Sequence, residues 1–167
     1  FQISERLDFY TTDELMEVAA KSARILGIGL QPQAARRIAE CSRGTPRITN
    51  RFLRRIRDVA QAAGSGVITP QIAEDGLRRL GVDDRGLAEM DRRILALLAR
   101  SSGRPVGLKT IAAVVGEQED TIEDVYEPFL IRQGLLERTA RGRAITPAGL
   151  EACGADGPGP EGQASLF

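Results

Sequence analysis

Four times in the first eighty residues, a run with apolar side chains at helical spacing opens on a residue that favours helix starts. Thr11 followed three places later by Glu14 has the form of a capping box. Leu15, Val18, Ala19, Ser22, Ile25 and Leu26 then recur at the period of one helix face, and Gly27 stops the run. Pro32 opens a second run that closes at Gly44. Thr45-Pro46 opens a third, and Thr69-Pro70 a fourth that ends near Leu80-Gly81. Segments punctuated this way pack as short helices, so residues 1–81 are expected to form a four-helix unit. Aromatic residues make up 4% of the chain, so its core must be built from Leu, Ile, Val and Ala.

The stretch "GVDDRG", Gly81 to Gly86, is the expected boundary. Beyond it lies a helical run with Leu87, Met90, Ile94, Leu97 and Leu98 on one face. "SSGRPVG" breaks the chain, "LKTIAAVVG" fits a short helix, and "EQEDTIEDVYEPFLIRQG" fits a longer one. Pro128 inside the last predicts a kink or an early stop. "LLERTARGRAIT" is expected to form two strands around a turn at Arg141-Gly142. Three helices and a hairpin are the layout of a winged helix-turn-helix over residues 82–153. The fold class is therefore mainly α with one small β-hairpin. Residues 154–167, "GADGPGPEGQASLF", are dominated by Gly and Pro and are expected to be a disordered tail.

Composition removes several kinds of chemistry. With no His and two Cys, a Cys/His zinc site and a Ser-His or Cys-His catalytic pair are both excluded. No apolar run approaches the ~20 residues of a membrane span, and no signal peptide is visible. A reducing cytoplasm is the expected setting. A start at Phe1 rather than Met is expected of a processed or shortened piece.

Net charge is zero, yet it is unevenly placed. From Arg36 to Arg57 there are eight basic residues against Glu40 alone. Projected at ~100° per residue, Arg47, Arg51 and Arg54 fall together, with Arg55 and Arg57 beside them. Ile48, Phe52, Ile56, Val59 and Ala63 fall opposite and are expected in the core. Thr45 as cap and Pro46 as first helical residue put Arg47 in the first turn, where a helix favours anions over cations. A bound anion resolves that conflict, because free N–H groups and the guanidinium then share one phosphate. Composition alone leaves DNA, a nucleotide and an acidic protein face all open as that anion.

The wing carries a second cluster. Arg138, Arg141 and Arg143 surround the turn of "RTARGR", with the Thr139 hydroxyl as a further donor. From Glu117 to Glu127 the preceding helix has six acidic residues and no basic one. Such a helix is repelled by phosphates, so the hairpin rather than the helix is expected to hold DNA. Alternation puts Arg141 and Arg143 on one side if the turn keeps register. The apolar residues Ile122, Val125, Phe129 and Leu130 are expected in the core.

The strings "ERLDFYTTDEL", "SRGTPRITNRFLRRIRDVA", "RPVGLKTIAAVVGE" and "TIEDVYEPFLIRQGLLERTARGR", in this order and spacing, closely resemble the RuvB family. The likeness covers residues 1 to about 154. It implies an AAA+ helical lid in residues 1–81, followed by a winged-helix DNA-binding domain in residues 82–153. Members of this family are ATP-driven motor subunits of Holliday-junction branch migration in recombination and repair. The resemblance implies ATP or ADP as ligand, with Mg²⁺ held by a large domain. No G-x-x-x-x-G-K-[ST] phosphate loop occurs in these 167 residues, so no catalytic residue is assigned and the chain alone is expected not to hydrolyse ATP.

By the same resemblance Arg47 of "GTPR" matches the sensor-2 arginine, which reaches the terminal phosphate. Tyr10 matches the tyrosine of the adenine pocket, and Pro46 is expected against the base. Arg138 and Arg143 match arginines that bind DNA, with Arg141 as a third. Implied partners are the duplex arms of a Holliday junction, RuvA, RuvC in the resolvasome, and further copies of the chain in a hexameric ring in a bacterial cytoplasm. Arg51, Arg54, Arg55 and Arg57 match no known nucleotide ligand; some are expected in salt bridges between subunits. "QASLF", Gln163 to Phe167, resembles peptides that dock on the replicative sliding clamp. Two other functions compete: a stand-alone winged-helix transcriptional regulator, and an interaction module whose arginines bind acidic protein.

Overall fold

A computed structural model describes residues 9–154, which divide into two compact units between Ala88 and Glu89. The tail of residues 154–167, apart from Gly154, and the clamp-like peptide Gln163–Phe167 lie outside the described residues.

The first unit holds four helices, as the punctuation of the sequence predicts. They are α1 (Thr12–Ile25), α2 (Pro32–Cys41), α3 (Pro46–Ala62) and α4 (Pro70–Arg79). The capping box forms at α1: Thr11 Oγ1 accepts from Glu14 N at 3.3 Å, and Glu14 Oε2 accepts from Thr11 N at 2.8 Å. Thr69 caps α4 in the same way through Ile72 N. A two-residue parallel pair, β1 (Gly29–Leu30) with β2 (Val67–Ile68), ties the loops ahead of α2 and α4. It is too short for any sequence period to announce.

The core of this unit gathers Ile28, Ile38, Phe52, Leu53, Ile56, Ile68 and Leu77 with small Ala34, Ala60 and Ala73 between them. The buried face of α3 runs through Thr49, Phe52, Leu53, Ile56 and Ala60. The expected face is therefore corrected by about one position: Val59 is half-buried and Ala63 exposed, while Thr49, Leu53, Ile56 and Ala60 are buried. The segment after α4 stays bound to this unit. Arg37 donates to the Asp83 and Asp84 carbonyls at 3.1 and 2.8 Å and pairs with Glu74 at 2.6 Å. Asp83 accepts from Leu87 N at 2.8 Å.

The second unit holds α5 (Glu89–Arg100), α6 (Leu108–Val115), α7 (Glu119–Thr121), a π-helical segment (Ile122–Tyr126), α8 (Glu127–Arg132), the hairpin β3 (Leu136–Thr139) with β4 (Gly142–Ile145), and α9 (Pro147–Gly154). Ile94, Leu95, Leu98, Ile111, Val115, Ile122, Phe129, Leu130 and Leu136 form its buried apolar set. Of the kink or early stop expected at Pro128, the stop is absent, since helix continues to Arg132; the irregularity present is the π-helical segment just before it. Proline has no N–H to donate, and the wide turn just before it shifts the hydrogen-bond register so that Pro128 sits in the first turn of α8. The same wide turn moves Val125 out of phase. Val125 is exposed, against expectation, while Ile122, Phe129 and Leu130 are buried.

Helix α9 has no counterpart among the sequence expectations, although Thr146-Pro147 repeats the start seen at Thr45-Pro46 and Thr69-Pro70. Thr146 Oγ1 accepts from Gly149 N at 3.0 Å, as a cap does. Among the described residues no helix is long and apolar enough to cross a membrane, and no three His, Cys, Asp or Glu side chains cluster as a metal site.

Candidate nucleotide and nucleic-acid contacts

Tyr10 stands far from Arg47 in sequence but is tied to the loop that precedes it. Tyr10 N donates to the Gly44 carbonyl at 3.0 Å, which fixes the tyrosine beside the turn that leads into Pro46 and Arg47. The Tyr10 side chain is 49% exposed, so it is not the core aromatic that an apolar residue in this position would be. Pro46 is the first residue of α3 and half-buried; Arg47 is exposed.

Thr45 occupies the N-cap position but does not cap. Its hydroxyl donates to the Arg43 carbonyl at 3.4 Å instead of accepting from the first turn of α3. The positive end of α3 thus lacks the side-chain oxygen that α1 and α4 have, and it carries a guanidinium in its first turn. Both features suit an incoming phosphate.

The arginine stripe is solvated along α3. Arg47, Arg51, Arg54, Arg55 and Arg57, with Asn50 and Asp58, line an open groove of about 600 Å³. Asp58 lies 2.9 Å from Arg57, and among the described residues it is the only carboxylate lining the groove. On the adjoining face, the Ser22 hydroxyl donates to Asn50 Oδ1 at 2.6 Å and ties α1 to α3.

The wing closes differently from its sequence expectation. Arg138 pairs with Arg143 and Thr139 with Gly142, so the turn is Ala140-Arg141 and Gly142 begins the second strand. Gly142 holds φ at 137°, a conformation that glycine alone adopts freely. Arg138 and Arg143 are therefore direct neighbours across the strands, and Arg141 is at the tip rather than alongside Arg143. The Thr139 hydroxyl is committed to the turn: it donates to the Gly142 carbonyl at 2.9 Å and accepts from Arg141 N at 3.2 Å. Val106 joins the hairpin by a single antiparallel bridge, two 2.8 Å backbone bonds with Arg143.

The acidic helix and the basic wing meet. Glu127, 1% exposed, accepts from Arg138 Nε at 2.6 Å on Oε1 and from Arg143 Nε and Nη2 at 3.1 and 3.0 Å on Oε2. Glu123 Oε1 reaches both arginines at 3.2 Å. The hydrogen bond that Arg138 donates to Glu127 raises the Arg138 pKa further above its already high value. Arg143 is 12% exposed and Arg138 52% exposed. Sequence reasoning places Glu123 and Glu127 on a face hostile to DNA and does not reveal them as partners of the wing. Their separation of 11 to 20 residues from the arginines carries no local signal.

Comparison with known proteins bears on both units. The family model of the RuvB AAA lid domain matches residues 10–83, and that of the RuvB C-terminal winged helix domain matches residues 84–154. The Holliday junction branch migration complex subunit RuvB of Myxococcus xanthus is 58% identical over 147 residues, 87% of this chain and 43% of that protein. The Thermotoga maritima RuvB Holliday junction branch migration motor superposes with a TM-score of 0.83 at 40% identity, over 87% of this chain and 49% of that one. Its P216G variant superposes with a TM-score of 0.84 at 38% identity, over 91% and 51%. The chain spans about half the length of the relatives it matches.

Proposed function

The chain belongs to the RuvB family, and from that premise we propose that it is the lid and DNA-gripping part of an ATP-driven motor for Holliday-junction branch migration. Each unit matches the family's own lid or winged-helix model, which supports the motor over a stand-alone regulator. The observation that carries the reading is the Tyr10–Gly44 bond, which gathers an exposed aromatic ring, Pro46 and Arg47 at an uncapped helix start. That arrangement fits a nucleotide: Tyr10 and Pro46 for the base, Arg47 and the first turn of α3 for the terminal phosphate. Family membership implies that Mg²⁺ and the hydrolytic groups are held by a large domain with a phosphate loop. By itself this chain hydrolyses no ATP.

In the second unit, the wing meets duplex DNA through Arg138, Arg141 and Arg143. Arg138 and Arg141 offer exposed guanidinium groups, and Arg143 adds its charge from behind them. Phosphate contacts read no bases, and a motor that crosses any sequence needs that indifference. Six copies form a ring on each of two junction arms in the bacterial cytoplasm, RuvA holds the junction, and RuvC joins them in the resolvasome. The lid senses the nucleotide, and its movement pulls the DNA held by the wing.

The test joins this chain to its nucleotide-binding large domain. Arg47→Ala is expected to lower ATP turnover by roughly a hundredfold, as removing a preorganised transition-state donor does, while leaving duplex affinity unchanged. Turnover unaffected by Arg47→Ala counts against the nucleotide role. Affinity that differs sharply between unrelated duplexes counts against the motor.

A further inference from the structure

Arg138 and Arg143 face each other across the two strands of the wing. Like charges so placed repel and splay apart. One carboxylate prevents this. Glu127 spends its two oxygens on the two arginines, one each, from the first turn of α8. A buried carboxylate needs such partners, and the pair of guanidinium groups needs such a carboxylate. The two arginines are left in different states. Arg143 is turned inward and almost covered, while half of the Arg138 side chain faces solvent.

We propose that Glu127 is the positioning residue of the wing: held by Arg143 on one oxygen, it fixes Arg138 with the other and aims it at a backbone phosphate of duplex DNA. This rests on the reading of the wing as the DNA contact and says how the contact is built. An arginine free in solvent has several rotatable bonds to immobilise on binding. Arg138 is already bound through Nε to Glu127, with Nη2 beside Glu123, so its remaining donors are presented in one orientation. Arg143 serves as a strut, and its contribution to DNA affinity passes through Glu127. The acidic helix then assists binding at this point, although its charge opposes DNA elsewhere.

A contrary role is available on charge alone. Glu127 and Glu123 together neutralise the two arginines, and a carboxylate near phosphates weakens binding. The two roles give opposite signs. Glu123 is 40% exposed and reaches the same guanidinium groups from the rim, so it serves as the internal control.

The experiment is equilibrium anisotropy of the whole chain with a labelled duplex across a salt series. Arg138→Ala comes first, because it tests the wing and not Glu127. It is expected to weaken binding and to lower the slope of log affinity against log salt by about 0.9. Unchanged binding there rejects the wing as the DNA site. With that established, Glu127→Asp keeps the charge and shortens the reach, and it is expected to weaken binding roughly fivefold. Glu127→Gln is expected to weaken it too, although the variant is more positive. Glu123→Gln, the same charge change at the rim, is expected to tighten binding by about twofold. Wild-type affinity in Glu127→Asp, or tightening in Glu127→Gln, overturns the proposal. Circular dichroism melting accompanies each variant; if neither Glu127 variant folds, Glu127 is a fold residue and the positioning role is rejected.

Discussion

A single thiol records how well the first unit is packed. Cys41 ends α2 and is fully buried beside Ile38 and Leu53. Burial pushes its pKa up to about 11, against a pull from the nearby Arg37 guanidinium and a further push from Glu74, Glu40 and Asp83. Cys153, half-buried in α9, is raised by burial alone. Native protein is therefore expected to release one equivalent with a thiol reagent, slowly and from Cys153, and the second only on unfolding. The linkage has a definite sign. The unfolded thiol ionises near 9.0 and the folded one near 11. The contribution is complete below pH 9 and fades as pH rises through 11, at about 1.4 kcal/mol per pH unit in between. Urea melts at pH 8, 9 and 10 should show that loss, and Cys41→Ala should lack it. A Cys41→Ala protein with the same alkaline slope would assign the loss to other groups.

At the level of elements, two glycines are set by close approach. A Cβ on Gly76 would lie 2.6 Å from Ile56 Cγ1 and 3.3 Å from its Cα, where α4 rests on α3. In an open helix Gly→Ala gains about 1 kcal/mol. Here overpacking of about 1–3 kcal/mol opposes that gain. Gly76→Ala should lower the midpoint of thermal unfolding rather than raise it. Gly142 combines its positive φ with a Cβ position 2.5 Å from the Val106 carbonyl oxygen. Gly142→Ala should part Val106 from Arg143 and weaken DNA binding, with α1–α4 unaffected by hydrogen exchange. The helix starts are legible in the sequence because caps, Thr-Pro pairs and stop glycines act within a few residues. The phase of α3, the exposed Val125 and the wing's true turn are not, since tertiary contacts and a π-helical segment decide them. The candidate site divides likewise. Arg47 is visible as a cation in a first turn, while the bond that ties Tyr10 to the loop before it and the Glu127 bridge depend on the folded chain.

For the molecule as a whole, the question is which unit holds DNA, and bulk charge gives the opposite answer from local geometry. Residues 9–88 carry thirteen basic and nine acidic side chains; residues 89–154 carry nine and ten. A long-range field would bring a polyanion to the first unit and its arginine groove. That field is screened within about 8 Å at physiological salt, so short-range pairing decides. In the proposed reading the wing supplies it from a unit that is slightly acidic overall, a balance that favours weak, releasable binding. Reversing Arg51 and Arg54 to Glu in the whole chain should therefore change affinity little at about 0.15 M salt and leave the salt slope intact. Replacing Arg138 or Arg141 by Ala should reduce the slope by about 0.9 for each phosphate no longer neutralised. Titrations of one labelled duplex at several salt concentrations separate the two cases. A slope that falls with the α3 reversals and stays constant with the wing substitutions would move the DNA to the first unit and leave the hairpin with a purely structural part.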